Sequence, residues 1–118
     1  MSARTTKQIG DRAEELAKRY LTQKGLSFVS QNFRCKSGEI DLIMRDQLTW
    51  VFIEVKFRSK TAHGEPAEFF TSIKQQRVLS AVKHFLLDNQ LNEFHTPIRI
   101  DVIAIHGETL QWFKNATG

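Results

Sequence analysis

Two apolar runs joined across a short polar turn constrain the fold of this 118-residue chain more than any other feature. They are "GEIDLIM", residues 38–44, and "TWVFIEVKF", residues 49–57, with "RDQL" between them. β-Branched and aromatic residues dominate both, so each reads as a strand, and a turn this short makes the pair an antiparallel hairpin. Yet both carry acids where a buried sheet calls for apolar side chains. Side chains alternate along a strand, so Glu54 and Lys56 share a face with Trp50 and Phe52, while Val51, Ile53, Val55 and Phe57 take the other. The same alternation groups Asp41 with Glu39 and Ile43 and sets Ile40, Leu42 and Met44 opposite. A natural register of the hairpin then brings Asp41 beside Glu54.

A buried carboxylate without a partner costs several kcal/mol, comparable to the net stability of a small domain. Lys56 neutralises one such charge. Two or three carboxylates around one lysine leave a surplus of negative charge, which is the composition of a site for a hard divalent cation such as Mg²⁺. The same residues also make a structural salt-bridge cluster at a sheet edge, and spacing by itself does not choose between the two.

The remaining elements supply further candidates. From Thr5 to Lys24 the residues Ile9, Ala13, Leu16, Ala17, Tyr20 and Leu21 recur at helical spacing, with Gly25 as the C-cap. At about 100° per residue, Glu14 borders that apolar stripe and can reach the sheet, whereas Glu15 points away. Glu14 reads equally as a surface residue of the helix. "LSFVSQNF" forms a strand before the hairpin, and "SKTAHGEPAE" breaks all periodicity and is expected to be an exposed loop. A second helix starts with Thr71 or Ser72 as N-cap and runs to Asn89 on the apolar positions Ile73, Val78, Leu79, Val82, Phe85 and Leu86. Gln75 falls inside this stripe, Lys74 at its border and Arg77 away from it; a glutamine facing the sheet wants a polar partner, which a loop carbonyl could also provide. "IRIDVIAI" reads as an interior strand and "TLQWF" as a short edge strand. Asp101, inside the former, is read as half of a buried structural pair with Arg99 or with a helix N-terminus.

The order is αβββαββ, an α/β fold in which a crossover through the second helix makes "IRIDVIAI" parallel to "VFIEVK", with a helix on each side of a mixed sheet. Residues 1–118 form one domain, since the length leaves no room for a second. Cys35 is the single cysteine and the four histidines are scattered, which excludes a zinc site of ordinary spacing. No stretch has the length or apolarity of a membrane span or signal peptide, so the expected location is the cytoplasm and no membrane partner is expected. The excess of 17 Lys and Arg over 13 Asp and Glu, a net +4, favours a polyanionic partner such as nucleic acid.

Taken together, "GxxAE" (Gly10, Ala13, Glu14), "NFRxxxGEIDLI" (Asn32 to Ile43), "VFIEVKFR" (Val51 to Arg58), "GEPAE" (Gly64 to Glu68), "KQQR" (Lys74 to Arg77) and "RIDVI" (Arg99 to Ile103) resemble the YraN-like family of small bacterial proteins over nearly the whole chain. That family is similar in turn to the archaeal Holliday-junction resolvases and, through them, to the PD-(D/E)xK nucleases, whose restriction-endonuclease-like core is αβββαβ. The resemblance implies that Asp41 is the motif aspartate, Glu54 and Lys56 the (D/E)xK pair, Glu14 the glutamate of the first helix and Gln75 the polar residue of the next. Ile40 stands where the motif has proline.

On that resemblance Asp41, Glu54, the Val55 carbonyl and Glu14 would hold Mg²⁺ or Mn²⁺, and Lys56 would serve a phosphodiester hydrolysis. The substrate would be nucleic acid, DNA before RNA and branched DNA by analogy with the resolvases, which also form homodimers. Arg34, Lys36, Arg58, Lys60, Lys74 and Arg77 flank the site in sequence and are candidates for phosphate contacts. Phe69 and Phe70 are expected in the core rather than against a substrate strand. The competing class is a binding or interaction module that keeps the fold without turnover.

Overall fold

A computed structural model describes residues 5–58 and 72–116. In chain order the elements are α1 (Thr6–Gln23), β1 (Ser27–Cys35), β2 (Gly38–Asp46), β3 (Thr49–Arg58), α2 (Ser72–Asp88), β4 (Ile98–His106) and β5 (Thr109–Phe113). This is the expected αβββαββ order. Lys60, the breaker stretch after Arg58, Phe69, Phe70 and the candidate cap Thr71 lie outside the described residues. Among the described residues no helix is long and apolar enough to cross a membrane.

The strands form one sheet in the order β1-β2-β3-β4-β5. Neighbours pair antiparallel except β3 and β4, which are parallel from Trp50↔Ile98 to Arg58↔His106. A parallel neighbour cannot be reached through a tight turn, and the chain makes that connection through α2.

The first helix is delimited by its own ends. Thr5 accepts from the Gln8 N–H at 3.1 Å while the Gln8 side chain accepts from the Thr5 N–H at 2.9 Å, a reciprocal capping box. At the other end Lys24 is the cap residue and Gly25, at φ 101°, lies one beyond it. The N–H groups of Gly25 and Leu26 return to the carbonyls of Thr22 and Leu21, which is a Schellman motif closed by the buried Leu21 and Leu26.

Each helix covers one face of the sheet. Ala13, Ala17 and Leu21 of α1 pack on Leu42, Met44, Val51, Ile53, Ile103 and Ile105. Val78, Ala81, Val82, Phe85 and Leu86 of α2 pack on Ile40, Ile43, Phe52, Ile100 and Val102. Phe85 anchors the second layer, with the rings of Phe33, Trp50 and Phe52 all within 5.6 Å of its own. Leu16, Ile73 and Leu79, counted in the apolar stripes from periodicity, are exposed, because each stripe is wider than the sheet surface it meets.

The alternation expected for β3 holds, with Trp50 and Phe52 toward α2 and Val51, Ile53, Val55 and Phe57 toward α1. The one expected for β2 does not. Ile40 packs with Ile43 on the α2 face, whereas Leu42 and Met44 lie on the α1 face, so the strand changes face at Asp41. A strict period of two cannot describe a strand whose pleat is interrupted.

Asp101 has the structural role read from the sequence. It is completely buried. It accepts from Arg99 Nε at 3.0 Å, from Trp112 Nε1 at 2.8 Å and from the Asn115 N–H at 2.8 Å, and Arg99 also reaches Asp46 at 3.2 Å. The network ties β4 to β5 and to the β2–β3 turn. Asp101→Ala leaves Arg99 Nε and two N–H donors without their acceptor, with Asp46 the remaining partner of the guanidinium, so urea unfolding should register a loss of about 3–5 kcal/mol; a loss below about 1 kcal/mol would show the network to be dispensable.

Candidate functional site

The β2–β3 ladder starts at the turn, with Asp46↔Thr49, and ends at Leu42↔Ile53. One step further the register sets Asp41 opposite Glu54, as the hairpin reading expected, and there the two strands part: β2 continues on β1 and β3 on β4. A fork is thus opened in the sheet at the level of the two acids. Asp41 Oδ2 accepts the Val55 N–H at 2.8 Å, taking the place of a backbone acceptor. Asp41 is 8% exposed and Glu54 7%. Glu54 pairs with Lys56, its neighbour two residues along the same face of β3.

Burial and the charges around it make Asp41 a poor carboxylate. Desolvation first, then Glu54, push its pKa up to about 8, with Glu14 adding to the effect and the Val55 N–H and Lys56 opposing it. Glu14, half-buried on α1, is also raised, by burial and by Asp11, while a hydrogen bond with Asn32 works in the other direction. Burial pulls the Lys56 ammonium down, but the charge and hydrogen bond of Glu54 outweigh it and the net shift is upward. Burial first, and then the neighbouring Lys56, lower the pKa of Lys74.

Two cavities meet at this fork. One, of about 530 Å³, lies on the α2 side between the β1–β2 turn and the first turns of α2; Arg34, Lys36, Lys56, Lys74 and Arg77 line it against Glu39 and Glu54. The other, of about 440 Å³, lies on the α1 side, where Asp11, Glu14, Glu39 and Asp41 face Lys7 and Arg34. The Arg34–Glu39 pair, at 3.2 Å, borders both. The close seat of α2 on the hairpin depends on Gly38, since a Cβ there would stand 2.5 Å from the Arg77 carbonyl oxygen.

The structure brings some of the expected residues together and leaves others apart. Glu14, Asp41, Glu54 and Lys56 come together, and Arg34, Lys36, Lys74 and Arg77 line the basic cavity. Arg77, which points away from the apolar stripe of its helix, does so into that cavity. Gln75 is half-buried on α2 but does not line either cavity, and Arg58 donates to the Phe57 carbonyl at 2.8 Å. Among the described residues no three His, Cys, Asp or Glu side chains already form a metal-ligating group. Asn32 was not among the expected site residues, although an asparagine inside a run of strand-forming residues is a signal for an unusual backbone.

Asp41 also sets a pH dependence of folding. Its folded-state pKa of about 8 lies above the ordinary value, about 3.9 in an unfolded chain. Between these limits the folded state binds the extra proton, so stability falls as pH rises from about 4 to about 8. Asp41→Asn keeps an acceptor for Val55 and removes this slope: in metal-free protein it should raise Tm at pH 9 and leave it nearly unchanged at pH 4. An equal effect at both pH values would contradict a buried, protonated Asp41.

Comparison with known proteins follows the same residues. The Uncharacterised protein family UPF0102 matches residues 13–105, a span from α1 to β4 that holds the whole candidate site except Lys7 and Asp11 on the rim. The chain is 44% identical over 107 residues to a UPF0102 protein of Aeromonas hydrophila, covering 91% of this chain and 82% of the other. It is 43% identical over 109 residues to one of Saccharophagus degradans, covering 92% of each. A UPF0102 protein of Vibrio cholerae is 44% identical over 109 residues, covering 91% of this chain and 89% of its own. With the family matched over residues 13–105 and relatives more than 40% identical over nearly its full length, the chain belongs to the UPF0102 family, the YraN-like proteins.

Proposed function

We propose that the chain is a metal-dependent endonuclease that hydrolyses phosphodiester bonds in nucleic acid. The observation that carries this reading is the fork itself: two buried carboxylates, Asp41 and Glu54, with one lysine paired to Glu54 and a cavity of lysines and arginines beside them. A structural salt-bridge cluster would pair its acids, whereas here Asp41 meets burial and a second carboxylate with a backbone N–H as its donor.

The donor set suits Mg²⁺ or Mn²⁺. Such ions are held through one or two carboxylates and retain several waters, so a pre-formed cage of three or more acids is not required. Asp41, Glu54 and the Val55 carbonyl would hold the ion, with Glu14 further out. When bound it would supply Lewis acidity toward a phosphate and toward water. Lys56, paired with Glu54 and lining the same cavity, would orient the attacking water or meet the charge developing on the phosphate oxygens. Arg34, Lys36, Lys74 and Arg77 would contact backbone phosphates, which gives affinity that falls with salt and no base specificity.

One observation favours a second reading, a nucleic-acid-binding module without turnover: Glu54 is already neutralised by Lys56, and Asp41 keeps its proton at neutral pH. Calorimetry with Mg²⁺ and Mn²⁺, followed by cleavage of labelled four-way, flapped, single-stranded and duplex DNA and of RNA, separates the two. The nuclease reading expects binding that Asp41→Ala abolishes and that strengthens as pH rises toward about 8, because Asp41 must release a proton to take a cation. It also expects cleavage that Lys56→Ala lowers by about 10²–10³. No binding at millimolar metal would sink it; salt-sensitive retention of nucleic acid in that case would support the second reading.

A further inference from the structure

A fork of this kind needs something to turn side chains out of the pleat, and Asn32 stands where that happens. Along β1 and β2 the pairs Phe33↔Ile40 and Gln31↔Leu42 are both present, and the step skipped between them belongs to Asn32 and Asp41. Phe33 and Ile40 pack toward α2, whereas Leu42, and so its partner Gln31, lies on the α1 face. Residues two apart in a regular strand share a face. Here both strands change face at one level.

On β1 the residue at that level is Asn32, whose φ of 56° is left-handed, a conformation most side chains resist and asparagine tolerates. On β2 it is Asp41, turned across the fork to the Val55 N–H. Glu14, Asn32 and Asp41 line one cavity, with the Asn32 amide beside the Glu14 carboxylate. Glycine would offer the conformation without a donor, and aspartate the conformation with a third negative charge. Asparagine combines the backbone with a neutral donor.

We infer that Asn32 is the positioning residue of this site: its left-handed backbone lets Asp41 turn toward Val55, and its side-chain amide holds Glu14 toward the same acids. The inference deepens the metal-dependent reading and rests on it for its purpose, while its geometry stands apart from it.

The full chain tests it with two readouts. Asn32→Gly keeps the backbone and removes the amide: Val55 N–H exchange, followed by NMR in metal-free protein, should stay as in the wild type, while Mn²⁺ affinity drops by about tenfold, as for lost partners of metal ligands. Asn32→Ala opposes the left-handed backbone, and Val55 N–H should exchange about tenfold faster. A residue that merely shapes a turn would change Tm alone. Unaltered Mn²⁺ affinity in Asn32→Gly overturns the amide's role, and unaltered Val55 exchange in Asn32→Ala overturns the backbone's. If wild-type protein takes up no Mn²⁺, the metal reading fails separately, and the amide is judged from the Asn32 NH₂ resonances: a shift in Glu14→Ala supports the contact, and an unchanged spectrum overturns it.

Discussion

The hydrogen bond from the Val55 N–H to Asp41 is the point on which the architecture turns. A buried backbone N–H has to find an acceptor, and in the rest of β2 and β3 the ladder supplies one. Where the two strands separate, the ladder ends at Leu42↔Ile53 and Asp41 supplies it instead. Asp41 is therefore part of the sheet and part of the site at once. The fork can open without leaving an orphaned donor, and the acid is held at the opening by the same bond. At the fork Glu54 and Lys56 line the α2-side cavity, and Glu14 of α1 lies within electrostatic range of Asp41.

Charge is sorted across this opening. Lysines and arginines gather on the α2 side and carboxylates on the α1 side, although the chain as a whole carries only +4. The sorting follows from packing. Gly38 lets the backbone of α2 lie against the start of β2, which brings Lys74 and Arg77 over the hairpin. The apolar stripe of α1, ending at Ala13 on this side, leaves Glu14 and Asp11 beside Asp41. On the proposed reading, an anionic backbone is drawn to the α2 side and a cation to the acids at the fork itself, and a uniform distribution of the same residues would do neither.

Asp101 shows what a buried acid looks like when its role is structural. It is more deeply buried than Asp41 and yet meets a guanidinium, an indole N–H and a backbone N–H, which together satisfy both oxygens. Asp41 has one backbone donor and two carboxylates nearby, and burial raises its pKa. Two aspartates on interior strands of one sheet are thus separated by their partners, while their burial hardly distinguishes them. Incomplete compensation makes the ionised form of Asp41 costly in the folded chain, which is what its raised pKa reflects.

Much of this was legible from the amino acids alone. Hydrophobic periodicity marked both helices, β-branched and aromatic or apolar runs marked the strands, the short turns made the first three strands a meander, and the run "IRIDVIAI" after a helix implied the parallel crossover. Acids at odd places in apolar runs pointed to Asp41 and Glu54, and helical phase separated Glu14, half-buried, from Glu15, which is exposed and pairs with Arg19. These are local properties, determined by the period of a helix or strand and by the cost of burying a charge. Tertiary structure decided what no period can carry. Leu16, Ile73 and Leu79 belong to apolar stripes but outreach the surface available to them. Arg77 and Lys74 join the site because α2 sits on Gly38, a contact between residues far apart in the chain. The reversal of faces at Asn32 and Asp41 contradicts the alternation of both strands, because it arises from the pairing of two irregular residues across neighbouring strands, and only the assembled sheet brings that pair together.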